Sequence, residues 1–124
     1  MNERINLAKA LTAFDDTWSP RTVATVNDYD VKLVHIEGEF VWHKHDETDE
    51  LFLLIEGAAE IELRDRTIDL KPGELFVVPK GVEHKPQSKM GASLLLFEPS
   101  ETTNTGTTSE AIPDHIETTT GTEI

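Results

Sequence analysis

The sequence predicts an all-β fold, a sandwich or barrel led by one short helix. Three observations carry that prediction. Short runs rich in β-branched and aromatic residues recur from Arg21 onward; Gly, Pro, Asn and Asp punctuate them at close intervals; and no helical period separates them. A chain of 124 residues has room for one domain around one core. The expected division is 1–20 for the helix and lead-in, 21–99 for the β-barrel, and 100–124 for an acidic, threonine-rich tail.

The elements follow in order. Leu7, Ala10, Leu11 and Phe14 recur at helical spacing and predict a short amphipathic helix that ends before Trp18-Ser19-Pro20. Two strand-like segments come next, Arg21 to Val26 and Tyr29 to Glu37, with Asn27-Asp28 as the turn between them. The runs FVWHKH, ELFLLIEG, AEIELRD, TIDL, ELFVVP and SLLLFEP then read as further strands. Turns are expected at Gly38, Gly57, Asp65-Arg66, Pro72-Gly73 and Pro79-Lys80-Gly81.

Within ELFLLIEG, Glu50, Phe52 and Leu54 share one face, and Leu51, Leu53 and Ile55 share the other. Both faces are apolar beyond Glu50, so the outer one needs cover from the N-terminal helix or from a second subunit. A homodimer is the expected assembly. Ile61 and Leu63 are expected inside the barrel, with Glu60, Glu62 and Arg64 in water. From Pro99 onward the chain holds no lysine or arginine and few apolar residues, which predicts an extended or partly disordered tail.

Composition narrows the partners. The 24 acidic residues against 11 basic ones give a formal net charge of −13, spread along the chain. Such a field disfavours nucleic acid and anionic membranes. It suits either a high-salt habitat or an ordinary solvated surface. The absence of cysteine removes disulfides, iron–sulfur clusters and thiol nucleophiles. No apolar run reaches bilayer-spanning length, and the opening MNERINLAKALTAF lacks the apolar centre of a signal peptide, so the cytoplasm is the expected location.

The stretch HKHDETDE, residues 43 to 50, is either a charged surface loop or half of a metal site. On an extended segment His43 and His45 project to one side, while Trp42 and Lys44 project to the other. Glu50 differs in parity and joins the histidines only if the chain turns at Asp46-Glu47-Thr48-Asp49 and returns as a strand, a turn that this composition suits. His84 follows the Lys80-Gly81 turn, which could aim it inward. Spacing alone does not prove that convergence.

These residues resemble the cupins, small jelly-roll β-barrels marked by two short motifs. The first motif stands here as Gly38, His43, His45, Glu50 and Gly57, and the second as Gly73, Pro79, Gly81, His84 and Ser88. Gly38 lies one residue closer to His43 than the usual pattern, and Ser88 replaces an asparagine that is not a usual metal ligand. The resemblance spans roughly Tyr29 to Pro99.

The resemblance implies a cupin-type jelly-roll barrel with His43, His45, Glu50 and His84 as metal ligands. Three imidazoles and one carboxylate suit iron(II), manganese(II), nickel or zinc. It further implies a small-molecule partner. The expected function is an enzyme of dioxygenase or isomerase type acting on a small chelating carbonyl or enolate compound, and the alternative is a non-catalytic metal- or ligand-binding module. No general base stands out. His35 reads as a core or edge residue and His115 as solvated, while Trp18, Trp42, Phe52, Phe76 and Phe97 read as packing. Lys80 and Lys85 lie near the expected mouth, where exposed lysines seldom do anything specific.

Overall fold

In the computed structural model, which describes residues 3–124, helix α1 spans Leu7–Leu11. The first two positions of the predicted lead-in lie outside the described residues. Asn6 caps the helix, its side-chain oxygen accepting from the Lys9 N–H at 2.9 Å. The helix stops before Phe14 because the Thr12 and Ala13 N–H groups bond back three residues, to Lys9 and Ala10, and tighten the last turn.

Strands β1 (Arg21–Val26) and β2 (Tyr29–Glu39) form the predicted hairpin, with Asn27 in the left-handed region at φ 55°. Then come β3 (Glu50–Gly57), β4 (Ala59–Leu63), β5 (Thr67–Leu70), β6 (Leu75–Val78), β7 (His84–Pro99) and β8 (Thr122–Glu123). They make one sheet of order β5-β4-β7-β2-β1-β8, with β3 branching from β7 to carry β6. The long strand β7 joins the two parts. Its first residues pair with β4, Leu63 opposite His84, and its last with β3, Leu51 opposite Phe97. The chain is thus a cupin-type β-barrel, although hydrogen bonds do not close the sheet into a ring.

The core lies inside this coil. Val34, Ile36, Phe52, Leu54, Ile61, Leu94 and Leu96 form one cluster, reinforced by Trp18 and Phe40 stacked at 5.0 Å. Ile61 is fully buried as expected, and Leu63 packs at the cluster's margin. Arg64 lies over the Trp42 ring, its guanidinium carbon 3.8 Å from the centroid. No helix among the described residues is long and apolar enough to cross a membrane.

Four expectations need correction. Gly38 is not a turn: at φ 84° it sits inside β2 at a register shift, where a bulge bends the strand. FVWHKH is extended but makes only single bridges at His43 and Lys44, one to each side, so it never becomes a regular strand. The last long strand begins at His84 rather than Ser93. Its inward residues there are His84, Pro86 and Ser88, and a search for alternating apolar residues passes over them. The tail packs on the barrel instead of trailing away, with Ile116 in the core cluster and Thr105 buried.

The outer face of β3 also has an answer. Helix α1 packs against β2, not β3. Leu51 and Leu53 remain half-buried, and beside them Leu75 and Val77 of β6 are 56% and 40% exposed.

Candidate metal centre

The extended segment before β3 delivers the first two histidines. Burial alternates along it: Val41, His43 and His45 point inward, and Trp42 and Lys44 are half-buried on the other side. A reciprocal backbone pair locks His43 to His84, His43 N–H to the His84 carbonyl at 3.0 Å and the reverse at 2.9 Å. The Asp46 to Asp49 turn is pinned to the Lys80-Gly81 turn. The Lys80 N–H donates to Asp49 Oδ1 at 2.8 Å, and the Gly81 N–H to the His45 carbonyl at 2.8 Å. This brings Glu50, the first residue of β3, back toward the histidines.

One donor atom from each of His43, His45, Glu50 and His84 lies within 4.8 Å of every other, and the four residues are 2%, 7%, 3% and 0% exposed. The structure therefore brings together all four residues singled out in the sequence. The imidazoles are oriented by backbone: His43 Nδ1 donates to the Val41 carbonyl at 2.9 Å, and His84 Nδ1 to the Val82 carbonyl at 3.0 Å. A neutral ring that donates from Nδ1 presents a lone pair at Nε2.

The Nε2 atoms of His45 and His84 stand 3.1 and 3.3 Å from the same Glu50 oxygen. The His84 Nε2 lone pair facing a carboxylate calls for a proton or a cation between them, and His45 Nε2 has no well-directed hydrogen-bond partner. The group could hold a divalent metal ion, and its hard nitrogen and oxygen donors fit one.

The electrostatics agree. Burial, with help from neighbouring His84, lowers the pKa of His43 to about 3, so its ring stays neutral. For Glu50, burial opposes charge, but the neighbouring imidazoles of His45 and His84 outweigh it and hold the carboxyl well below its ordinary range.

Two buried ionisable residues beside the site escaped the sequence reading. Glu98 of β7 and Lys32 of β2 are buried inside the barrel, 1% and 2% exposed. Burial first, then the charge of Glu50 and a hydrogen bond to it, push the Glu98 carboxyl well above its ordinary range, against the pull of Lys32. The shift favours the protonated carboxyl, the form that can donate to Glu50. The Lys32 ammonium stands 3.6 Å from Glu98 Oε2, too far for a hydrogen bond, and donates to the Thr102 carbonyl at 3.4 Å. The signal was parity: Glu98 continues the inward series Leu94, Leu96, and Lys32 the inward series Val34, Ile36.

The remaining candidates lie elsewhere. His35 faces outward, away from the cluster, with Nδ1 2.8 Å from Ser93 Oγ and Nε2 2.9 Å from the Leu11 carbonyl. His115 is exposed. Lys85 is engaged by Glu39 and Glu62, which raise its pKa, Glu39 most.

A buried cluster of three histidines and one glutamate in a coiled β-sheet defines a class of protein, the small barrels with a metal-type site. The comparisons supply the family. The model of the Cupin domain matches residues 31–97, and this chain belongs to the cupin family. A crystal structure of a cupin-2 domain containing protein from Shewanella frigidimarina is 49% identical, covering 77% of this chain and 93% of that one, with a TM-score of 0.76. Protein NMB1881 from Neisseria meningitidis is 34% identical over 79% of this chain and 100% of its own, with a TM-score of 0.73. The uncharacterized protein YdbB of Bacillus subtilis is 33% identical over 89 residues, 71% of this chain and 79% of that protein.

Proposed function

We propose that His43, His45, Glu50 and His84 ligate one divalent transition metal, and that the protein is a metal-dependent enzyme acting on a small chelating carbonyl or enolate compound. The observation that carries this reading is the convergence of four buried donor atoms, each within 4.8 Å of every other. Such an ion, when bound, supplies Lewis acidity and, if iron or manganese, open neighbouring positions.

The chain's own residues define the rest. The cavity beside His43 and Glu50 is walled by Phe40, Phe52, Val34, Ile36, Leu94 and Leu96. These apolar walls favour a compact molecule with an apolar body and its oxygens turned to the metal. Glu98, whose carboxyl is pushed well above its ordinary range beside Glu50, is placed to orient that carboxylate.

The test is to load the protein with iron(II) without oxygen and screen chelating carbonyl compounds. Oxygen uptake that needs both metal and compound supports a dioxygenase, and product formation without oxygen supports an isomerase. Binding without turnover makes the protein a ligand-binding module instead.

A homodimer completes the proposal. Leu75 and Val77 of β6 adjoin Leu53 and Leu51 of β3, which adjoin Leu95 and Phe97 of β7, giving one apolar outer face. A second copy covers such a face. Sedimentation of the Leu75→Glu/Val77→Glu protein as a monomer, against a dimeric parent, supports this; a parent that is monomeric at micromolar concentration contradicts it.

A further inference from the structure

The segment 100–124 lies beyond the residues matched by the Cupin domain, yet it is built into the wall of the candidate centre. Thr107 adds itself to the free edge of the histidine segment. The Lys44 N–H donates to the Thr107 carbonyl at 3.1 Å, and the Thr107 N–H to the Lys44 carbonyl at 2.8 Å. Side chains extend the seam: Thr107 Oγ1 donates to Asp46 at 2.9 Å, Thr108 Oγ1 to the Trp42 carbonyl at 2.6 Å, and the Trp42 N–H to Glu110 at 3.0 Å.

Between these contacts Gly106 presses directly on a ligand. A Cβ there would stand 2.9 Å from His45 Nδ1 and 2.3 Å from the Lys44 carbonyl oxygen, so no larger residue fits without a shift. Asn104 lines the cavity beside His43 and Glu50. Its side chain closes the segment on itself: Oδ1 accepts from the Thr119 N–H and Nδ2 donates to the Glu117 carbonyl, both at 2.9 Å. The far end is tied down by β8, which pairs in parallel with β1.

The cavity to which this segment contributes Asn104 measures about 40 Å³. That volume admits a few water molecules and no organic substrate. The four candidate ligands are at most 7% exposed, so little of the centre itself meets solvent. The attachments are of a kind that releases: threonine hydroxyls, single bridges and one buried apolar side chain, Ile116, rather than a strand deep in the sheet.

We propose that residues 100–124 form a strap that closes the barrel mouth over the metal, steadies His45 through Gly106, and must swing off the Trp42–Asp46 edge for metal or ligand to exchange. This inference rests on the metal reading above. The chain has no cysteine, so a Lys44→Cys/Thr107→Cys pair across the seam makes a lock that reductant reverses.

The protein is loaded with cobalt(II), followed by its visible spectrum, and challenged with excess chelator. Disulfide formation is expected to slow cobalt release at least tenfold relative to the same protein reduced. Ile116→Ala, which needs no disulfide, is expected to speed release at least tenfold relative to the parent. Equal release rates in the oxidised and reduced pair, or in Ile116→Ala and the parent, overturn the strap and leave the metal site standing. A parent chain that takes up no cobalt overturns the metal reading itself.

Discussion

Two histidine sites in this molecule, a cluster of three in the barrel and a lone ring on the outer face, differ in what they leave free. In the barrel, His43 and His84 each spend Nδ1 on the carbonyl two residues before them, and their Nε2 atoms face inward with His45 and Glu50. On the outer face, His35 spends both nitrogens on protein groups. Nδ1 meets Ser93 Oγ, which also reaches Glu56 at 3.1 Å, and Nε2 meets the carbonyls of Leu11 and Phe14 at 2.9 and 3.1 Å. The first site has converging donors that could hold a cation, and the second has protein partners at both ring nitrogens. Burial of histidine does not mark a ligand, whereas convergence of uncommitted lone pairs does.

The largest expected effect falls on the inner cluster. His43→Ala/His45→Ala, purified without a histidine tag, should lose its stoichiometric divalent metal entirely by elemental analysis. Retained metal would break the contrast by showing that the ion sits elsewhere.

Glu98 sharpens the contrast one layer out. Glu98→Ala removes the donor to Glu50 and should weaken metal binding about 10–100-fold. Glu98→Gln keeps an N–H in place of the carboxyl proton and should stay near the parent affinity by competition with a chelator. Equal losses in the two variants would mean that Glu98 serves only to fill space.

His35→Ala should leave metal content and affinity unchanged. It removes the donors to Leu11 and Phe14 and the ring that packs at 4.6 Å on Phe14, and should cost about 1–3 kcal/mol of stability in urea unfolding. Loss of metal in this variant would erase the distinction between the two sites.

The smallest effect is a pH slope in the metal-free protein. His43 is held near pKa 3 in the fold and returns to about 6.5 when unfolded. Below pH 6.5 the unfolded chain therefore binds the extra proton, and stability falls as pH drops toward 3. The contribution is at most about 1.4 kcal/mol per pH unit. A His43→Ala chain should show a shallower slope between pH 6.5 and 5, and identical slopes would contradict the assignment of a neutral buried ring.

Much of this was legible in the sequence because it was local. Alternation along residues 41–45 predicts which side chains turn inward, and Asp46 to Asp49 has the composition of the turn that returns Glu50. What stayed hidden was non-local or written in polar residues. Lys32 and Glu98 interrupt apolar series at inward positions, which reads as exposure until the pairing of β2 with β7 sets them side by side. The tail holds so little apolar surface that composition argues against its packing. It docks through backbone pairing, threonine hydroxyls and the single anchor Ile116, none of which leaves a periodic trace.

The most direct test of the account is X-ray absorption at the edge of the metal that the protein carries when purified without a tag. The account predicts a nitrogen and oxygen shell near about 2.1 Å with the multiple scattering of three imidazoles, lost in His43→Ala/His45→Ala. A shell without imidazole scattering, or one unaltered in that variant, would contradict it.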